Sequence, residues 1–330
     1  MSVQRKRDLL VFGADPRRYS WHGLGLLAFI YLGALLFAAI VAPPVYWLIE
    51  HWAAVSPNPL NAYLISKDFP DYFDRLRWAP LVVMLAWLLR VSGLNSWRAL
   101  GLHTDSKGLR MSAIGFAAGI GLLSAAAAVH IFGTDVRIKN SIDCINGGVI
   151  VFRALAGGLI LGILEEIVFR GLVFRIFYTA FSPIWAVGLS AAFFAYVHFE
   201  MSDVVWEQSG GHVNWRSGFF VGYGTLFAIF GQQGVLLRFI NLALLSVVLT
   251  LLFLKRRSLM PCIGLHAGLV TTLLTYQKFT QDADSAQVWL WGSDSLVDGL
   301  PVLFMLTVLT AGLLKSLRRT QADARMALQR

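Results

Sequence analysis

Residues 149–174 read VIVFRALAGGLILGILEEIVFRGLVF. From Val149 to Leu164 the only charge is Arg153, and the apolar run approaches the roughly 20 residues that a helix needs to cross a bilayer. The run then takes up Glu165, Glu166 and Arg170. Ionisable groups at membrane depth cost about 2.5–3.5 kcal/mol each on insertion scales, so such groups usually have a task. Ala154, Gly158 and Gly162 recur every four residues, a small-residue stripe that lets a second helix approach closely. This stripe is read as packing.

Similar apolar runs occur on both sides. The composition agrees: 57% of the 330 residues are hydrophobic and 14% charged, against about 25% charged in soluble domains. That excludes a disordered chain and argues against an ordinary soluble enzyme. The sequence predicts an all-α polytopic membrane protein with about eight transmembrane helices in one bundle. The spans fall near 24–49, 78–92, 111–132, 149–174, 183–199, 235–254, 259–277 and 297–314. Pro43 and Pro44 are expected to kink or end the first. The chain is divided into a cytoplasmic N-terminal segment (1–23), N-terminal transmembrane helices (24–148), a core (149–277), and an outer loop, last helix and basic tail (278–330).

The 28 Lys and Arg against 19 Asp and Glu give a formal charge of +9. No nucleic-acid signature accompanies the excess. The basic residues lie in short segments between apolar runs, the bias of cytoplasmic loops. Arg5, Lys6, Arg7, Arg17 and Arg18 place the N-terminus inside, and Lys315, Arg318, Arg319 and Arg325 do the same for the C-terminus. Lys255, Arg256 and Arg257 mark an inner turn, whereas Asp282, Asp284 and Asp294 mark an outer loop. The expected location is therefore a membrane, the bacterial cytoplasmic (inner) one, with both termini cytoplasmic. The first apolar run is full length and has no small-residue cleavage site, so it is read as a span and not a cleaved signal. Cys144 and Cys262 suit neither a disulfide framework nor a structural zinc site. Residues 217–233, SGFFVGYGTLFAIFGQQ, are apolar enough to span, but a further crossing would break the charge alternation. They are read as an interfacial or re-entrant helix, with glycines that fit poorly in a rigid rod.

Within the spans, Glu166 and Arg170 are four residues apart and share a helix face. Glu165 points about 100° away and lacks a sequence-local partner, which suits a base. The plainer alternative is a structural pair of glutamates neutralised by Arg170 and Arg175. His198 closes the fifth span and His266 lies inside the seventh. Each alone is equally a packing or helix-end histidine. At about 1.5 Å per residue, Glu165 lies roughly 15 Å, His198 roughly 22 Å and His266 roughly 11 Å from the cytoplasmic ends. All three thus fall in the middle half of the membrane and can converge on one polar chamber. Such a set suits water activation and oxyanion stabilisation. Glu165, His198 and His266 also suit zinc, but there is no HExxH, so no cofactor is favoured and zinc is the alternative.

Three motifs in order, Glu165-Glu166-Ile-Val-Phe-Arg170, Phe194-Ala-Tyr-Val-His198 and His266 in an IGLH context, resemble the CPBP group of intramembrane proteases, which includes CAAX prenyl endopeptidases and bacteriocin-processing enzymes. The lead-in Ser96-Trp-Arg-Ala-Leu-Gly-Leu is also similar to that family. The resemblance covers about 149–277. It implies an eight-helix fold and cleavage near a protein's C-terminus. Glu165 would activate water, His198 would help hold it, Arg170 would orient the glutamates, and His266 would stabilise the oxyanion. The family places an asparagine four residues after that histidine, where this chain has Val270. Asn241, Thr271 or Thr272 are the candidates to supply the missing support.

The expected function is an intramembrane endopeptidase whose partners are membrane lipids and a hydrophobic or C-terminal peptide substrate. A catalytically weak or inactive membrane partner, such as an immunity or assembly factor, is the alternative, with Val270 its main support. A small-solute transporter is disfavoured by the absence of a visible internal repeat.

Overall fold

The computed structural model describes residues 21–139, 142–201, 203–231, 235–281 and 288–328. The basic N-terminal run, Asp282, Asp284 and the end of the 217–233 segment lie outside the described residues. The principal helices in chain order are α1 (His22–Val55), α2 (Phe69–Val91), α3 (Ser106–Gly133), α4 (Cys144–Glu166), α5 (Phe174–Ala180), α6 (Pro183–Val197), α7 (Ser217–Gly231), α8 (Val235–Arg256), α9 (Met260–Phe279) and α10 (Leu300–Leu328). A π-helical stretch, Ile167–Val173, joins α4 to α5. Among the described residues the only strands are β1 (Arg137–Ile138) and β2 (Thr280–Gln281), paired antiparallel.

The protein is an all-α membrane protein. Five described helices are long and apolar enough to cross a bilayer: α1, α3, the continuous Cys144–Ala180 rod, α8 and α10 through Arg319. The other three expected spans form helices but fall short of that standard. α2 carries Asp71, Asp74, Arg75 and Arg77 in its first half, and α6 has 15 residues. α9 contains His266, three threonines and Lys278, and it is buried continuously from Met260 to Leu269. A helix that faces protein instead of lipid need not be apolar throughout. On the outward faces of the rods, Phe152, Leu236 and Phe304 are largely exposed, as side chains meeting lipid tails would be.

The chain divides into two compact units. Of the described residues, the first comprises 21–92, 196–201 and 203–231. Here α1 runs unbroken through Pro43 and Pro44, so the expectation that they end it is corrected. Neighbouring elements in membrane proteins re-satisfy the carbonyls that a proline frees, and Pro43 is itself buried. Leu35, Ala38, Ala39 and Ala42 of α1 meet Phe69 and Phe73 of α2, and Val221 of α7, in one core. The glycines of α7 are contact points. A methyl on Gly218 would collide with the Ala39 carbonyl, and one on Gly222 would press on Phe73 at 3.3 Å. The 217–231 stretch is thus an ordered helix whose glycines admit neighbours.

The second unit holds residues 93–195 and 234–328 of the described chain, and α9 is its centre, packed against α3 and α4. Gly264 and Gly268 of α9 face the carbonyls of Ser112 and Phe116 on α3, while Gly115 and Gly119 of α3 face those of Pro261 and Leu265. These backbones touch with no room for a side chain. On the other flank, methyls at Gly158 and Gly162 of α4 would come within 2.8 and 2.9 Å of Ala267 backbone atoms, so the GxxxG stripe does pack. Asp105 caps α3 through Gly108 N at 2.8 Å, and Asp143 caps α4 through Asn146 N at 2.8 Å. At the far end of α3, His130 Nδ1 meets Tyr276 Oη of α9 at 2.6 Å. Gly264→Ala should lower stability by about 1–3 kcal/mol, because the methyl meets backbone that cannot rotate away. Gly121→Ala, on the same α3 with nothing within 4 Å, should be neutral or stabilising by up to about 1 kcal/mol. Paired thermal melts in detergent check both signs, and equal effects at the two positions would refute the packing assignment.

Candidate active site

The site of the second unit grows out of the small-residue stripe. Ala154, Gly158, Gly162 and Glu166 are the buried residues of α4 and lie four apart. Glu166 therefore continues the face that α9 covers. Since Gly162 rests on Ala267, the register brings Glu166 level with His266. His266 Nδ1 lies 2.8 Å from Glu166 Oε1, and Arg170 Nη1 donates to the same oxygen at 2.8 Å. Glu166 and Arg170 are 0% and 1% exposed, and His266 5%. Burial of this kind is tolerated only for a well-paired charge.

The geometry around Arg170 is set by the π-helical stretch that contains it. Arg170 Nη2 donates to Ser246 O at 3.2 Å and Ser246 Oγ at 3.0 Å on α8. Its guanidinium carbon sits 4.8 Å from the centre of the Phe194 ring. Phe194 also meets Phe169 edge-on at 4.8 Å and His266 at 6.2 Å. The phenylalanine that opens the FxxxH motif therefore packs against both Arg170 and His266. Cys262, one turn before His266, is buried and unoxidised, with its thiol 3.3 Å from Leu249 O.

Glu165 is different. Its side chain is 26% exposed, and Oε2 lies 3.7 Å from His266 Nε2. Glu165 stands apart from the Glu166–Arg170 pair, as expected from its spacing; the imidazole facing it comes from helix α9, 101 residues away. The ring's two nitrogens face the two carboxylates. An ionised Glu166 accepts from Nδ1–H, so in the neutral ring Nε2 carries the lone pair turned toward Glu165.

The other expected residues are placed as follows. His198 lies one residue beyond α6, half-buried, in the first unit. Asn241 uses its amide nitrogen on Val297 O at 2.8 Å and Gly299 O at 3.1 Å. It holds the approach to α10 and has no donor left for an oxyanion. Thr272 Oγ1 donates back to Gly268 O at 2.9 Å. Thr271 is buried against Gly158, and its hydroxyl has no partner among the described residues. Val270 is half-buried.

Sequence reading missed Ser246 and the task of the lead-in. Ser96 caps the short helix Trp97–Leu100, and Gly101 ends it with φ 85°, a left-handed turn that glycine adopts freely. The Gly101 carbonyl then accepts from Leu259 N at 2.8 Å and Ser258 Oγ at 3.1 Å. The lead-in thereby anchors the start of the His266 helix. A glycine directly after a capped four-residue helix was the available signal.

A catalytic zinc takes three protein ligands and a water. Among the described residues no three His, Cys, Asp or Glu side chains form a group fit to hold a metal.

Residues 147–272 match the family model for type II CAAX prenyl endopeptidase Rce1-like proteins, a segment that contains Glu165, Glu166, Arg170, His198 and His266. Over that segment the chain is similar to type II CAAX prenyl endopeptidases, the kind of intramembrane protease its three motifs resemble. The match supports a CAAX-type intramembrane protease as the kind of function. No curated protein and no solved structure matches the chain.

Proposed function

We propose that the protein is an intramembrane endopeptidase that cleaves a membrane-associated protein or peptide near its C-terminus with a water activated by Glu165. The observation that carries this reading is the Glu166–His266–Arg170 network on α4, α9 and the π-helical stretch, with the more accessible Glu165 beside it. Glu165 Oε2 is buried and lies 3.7 Å from His266 Nε2, so carboxylate and ring are close enough to act on one water once the site admits it. Glu165 would take a proton from that water as its oxygen attacks the scissile carbonyl carbon. That proton would then pass to the departing amine nitrogen as the C–N bond breaks, and the water's second proton would pass to His266 Nε2, leaving a new carboxylate, a free amine and an imidazolium. Arg170 holds Glu166 in place through a 2.8 Å bond, and Glu166 holds the His266 ring. His266 Nε2 can accept from the water, and once protonated it can donate to the oxyanion. His198 takes its role as second holder of the water from its motif. The loop charges support an orientation with both termini cytoplasmic in a bacterial inner membrane. The test is cleavage of membrane-anchored C-terminal peptides by the purified protein, with Glu165→Gln as the control.

The second reading, a catalytically weak or inactive partner on the same scaffold, is favoured by Val270. With Asn241 and Thr272 occupied elsewhere, oxyanion support falls to His266 and to the Thr271 hydroxyl, unpartnered among the described residues. One oxyanion donor is worth about 10²–10³-fold in rate. Position 270 is four residues after His266 on the same face. Val270→Asn is therefore expected to keep or raise the rate, by up to about 10²-fold, while Val270→Asp lowers it. Steady-state kinetics beside a thermal melt decides. An Asn variant that melts early and is inactive would mean that Val270 contributes only packing volume.

A further inference from the structure

We infer that Arg77, in a part of the chain that carries no family motif, is the positioning residue for His198; this rests on the protease reading. Helix α6 ends at Val197, and its last carbonyls have no partner within the helix. Arg77, from α2, donates through Nη2 to the Val197 carbonyl at 3.3 Å. A guanidinium at a helix C-terminus both bonds the open carbonyl and complements the negative end of the helix. Residue 198 is the next in the chain, so the bond fixes the point from which the His198 side chain departs.

The surroundings make this a lock and not a chance contact. Arg77 is 6% exposed, and its Nε donates to Asp74 Oδ1 at 2.5 Å. That carboxylate, one turn back on the same helix, neutralises the buried cation and aims the fork. Tyr196, two residues before His198, donates its hydroxyl to Leu226 O of α7 at 2.8 Å. Its ring meets Tyr31 of α1 edge-on at 6.0 Å, which brings the Tyr31 hydroxyl within electrostatic reach of Tyr196 and Arg77. Helices α1, α2 and α7 therefore each contribute one contact to residues 196 and 197, and all of these groups lie in the first unit. The N-terminal helices thereby fix one motif histidine.

Lysine cannot replace this fork. A single ammonium can reach Asp74 or the Val197 carbonyl, but it lacks the planar geometry that serves both. Arg77→Met keeps the stem and removes the donors. Arg77→Met and Arg77→Lys should each lower kcat by about 10–10²-fold, the scale of an ångström-level misplacement, with KM within about threefold of the wild type. Arg77→Met combined with His198→Ala should be no slower than His198→Ala alone, since the effect runs through that ring. A merely structural role would slow the double variant further and would overturn the inference.

A readout independent of cleavage separates this proposal from the protease reading. In the full chain with isotope-labelled histidines, His198 is identified by its loss in His198→Asn. Arg77→Met should shift the His198 ring signals and leave those of His266 unmoved. An unmoved His198 signal overturns the inference whether or not the protein cleaves anything. If Arg77→Met unfolds, Tyr31→Phe decides: it removes one hydroxyl of the lock and should move the same signal by a smaller amount, and no movement would again refute the idea.

Discussion

Glu165→Gln is expected to lower turnover by about 10²–10⁴-fold, the usual worth of a positioned general base, while the variant inserts, purifies and melts like the wild type. The amide keeps the shape of the carboxyl but cannot take a proton. The fold should tolerate the change, because Glu165 is a quarter exposed and stands outside the Arg170 pair, with Oε2 3.7 Å from the far nitrogen of His266. Single-turnover cleavage of a membrane-anchored peptide isolates the chemical step from product release. Wild-type rates in the Gln variant would move the base role to a histidine, and His266 Nε2, with its lone pair facing the same space, would be the first to examine.

The next glutamate should behave in the opposite way. Glu166→Ala is expected to cost about 3–5 kcal/mol of stability, because it leaves the guanidinium of Arg170 buried without its counter-charge. It also strips His266 Nδ1 of its partner. Glu166→Gln, which retains an acceptor oxygen, should cost less. The double variant Glu166→Leu with Arg170→Met removes both charges together and should recover much of the lost stability. It should not recover activity, since nothing would then hold the imidazole. Denaturant unfolding in a fixed detergent, read beside the cleavage assay, distinguishes these outcomes. A Glu166→Ala protein as stable as the wild type would mean that the buried pair is not the keystone of the site.

The contrast between two adjacent glutamates is partly legible in the amino-acid sequence. The four-residue spacing of Glu166 and Arg170 predicts their pairing, and the 100° offset predicts that Glu165 stands apart. The small-residue stripe predicts close helix packing. What sequence periodicity does not reveal is that Glu166 is the next step of that same stripe, which is why α9 and not solvent lies against it. Nor does local spacing tell which nitrogen of His266 faces which carboxylate, because that depends on α4–α9 register. The π winding is hidden since its residues are ordinary helix formers. The fates of Asn241 and Arg77 are hidden for another reason: their partners are backbone carbonyls 56 and 120 residues away, and a carbonyl leaves no mark in the alphabet. Pro43 and Pro44 mislead because the penalty for proline is local, whereas its relief comes from neighbours.

The π-helical stretch between Glu166 and Arg170 has an evolutionary corollary. Such windings carry a surplus residue within an otherwise regular helix and recur at functional sites. Loss of a single codon among those for Ile167, Val168 and Phe169 would therefore leave an unbroken, well-wound rod that still inserts. It would also place Arg170 three residues after Glu166 instead of four and change how its guanidinium meets that carboxylate, Ser246 and Phe194. An insertion or deletion that is harmless for folding would be ruinous for the site. The three-residue gap in EExxxR is accordingly a frame that descent must keep intact, and a descendant with two or four residues there would retain the letters of the motif and lose its meaning.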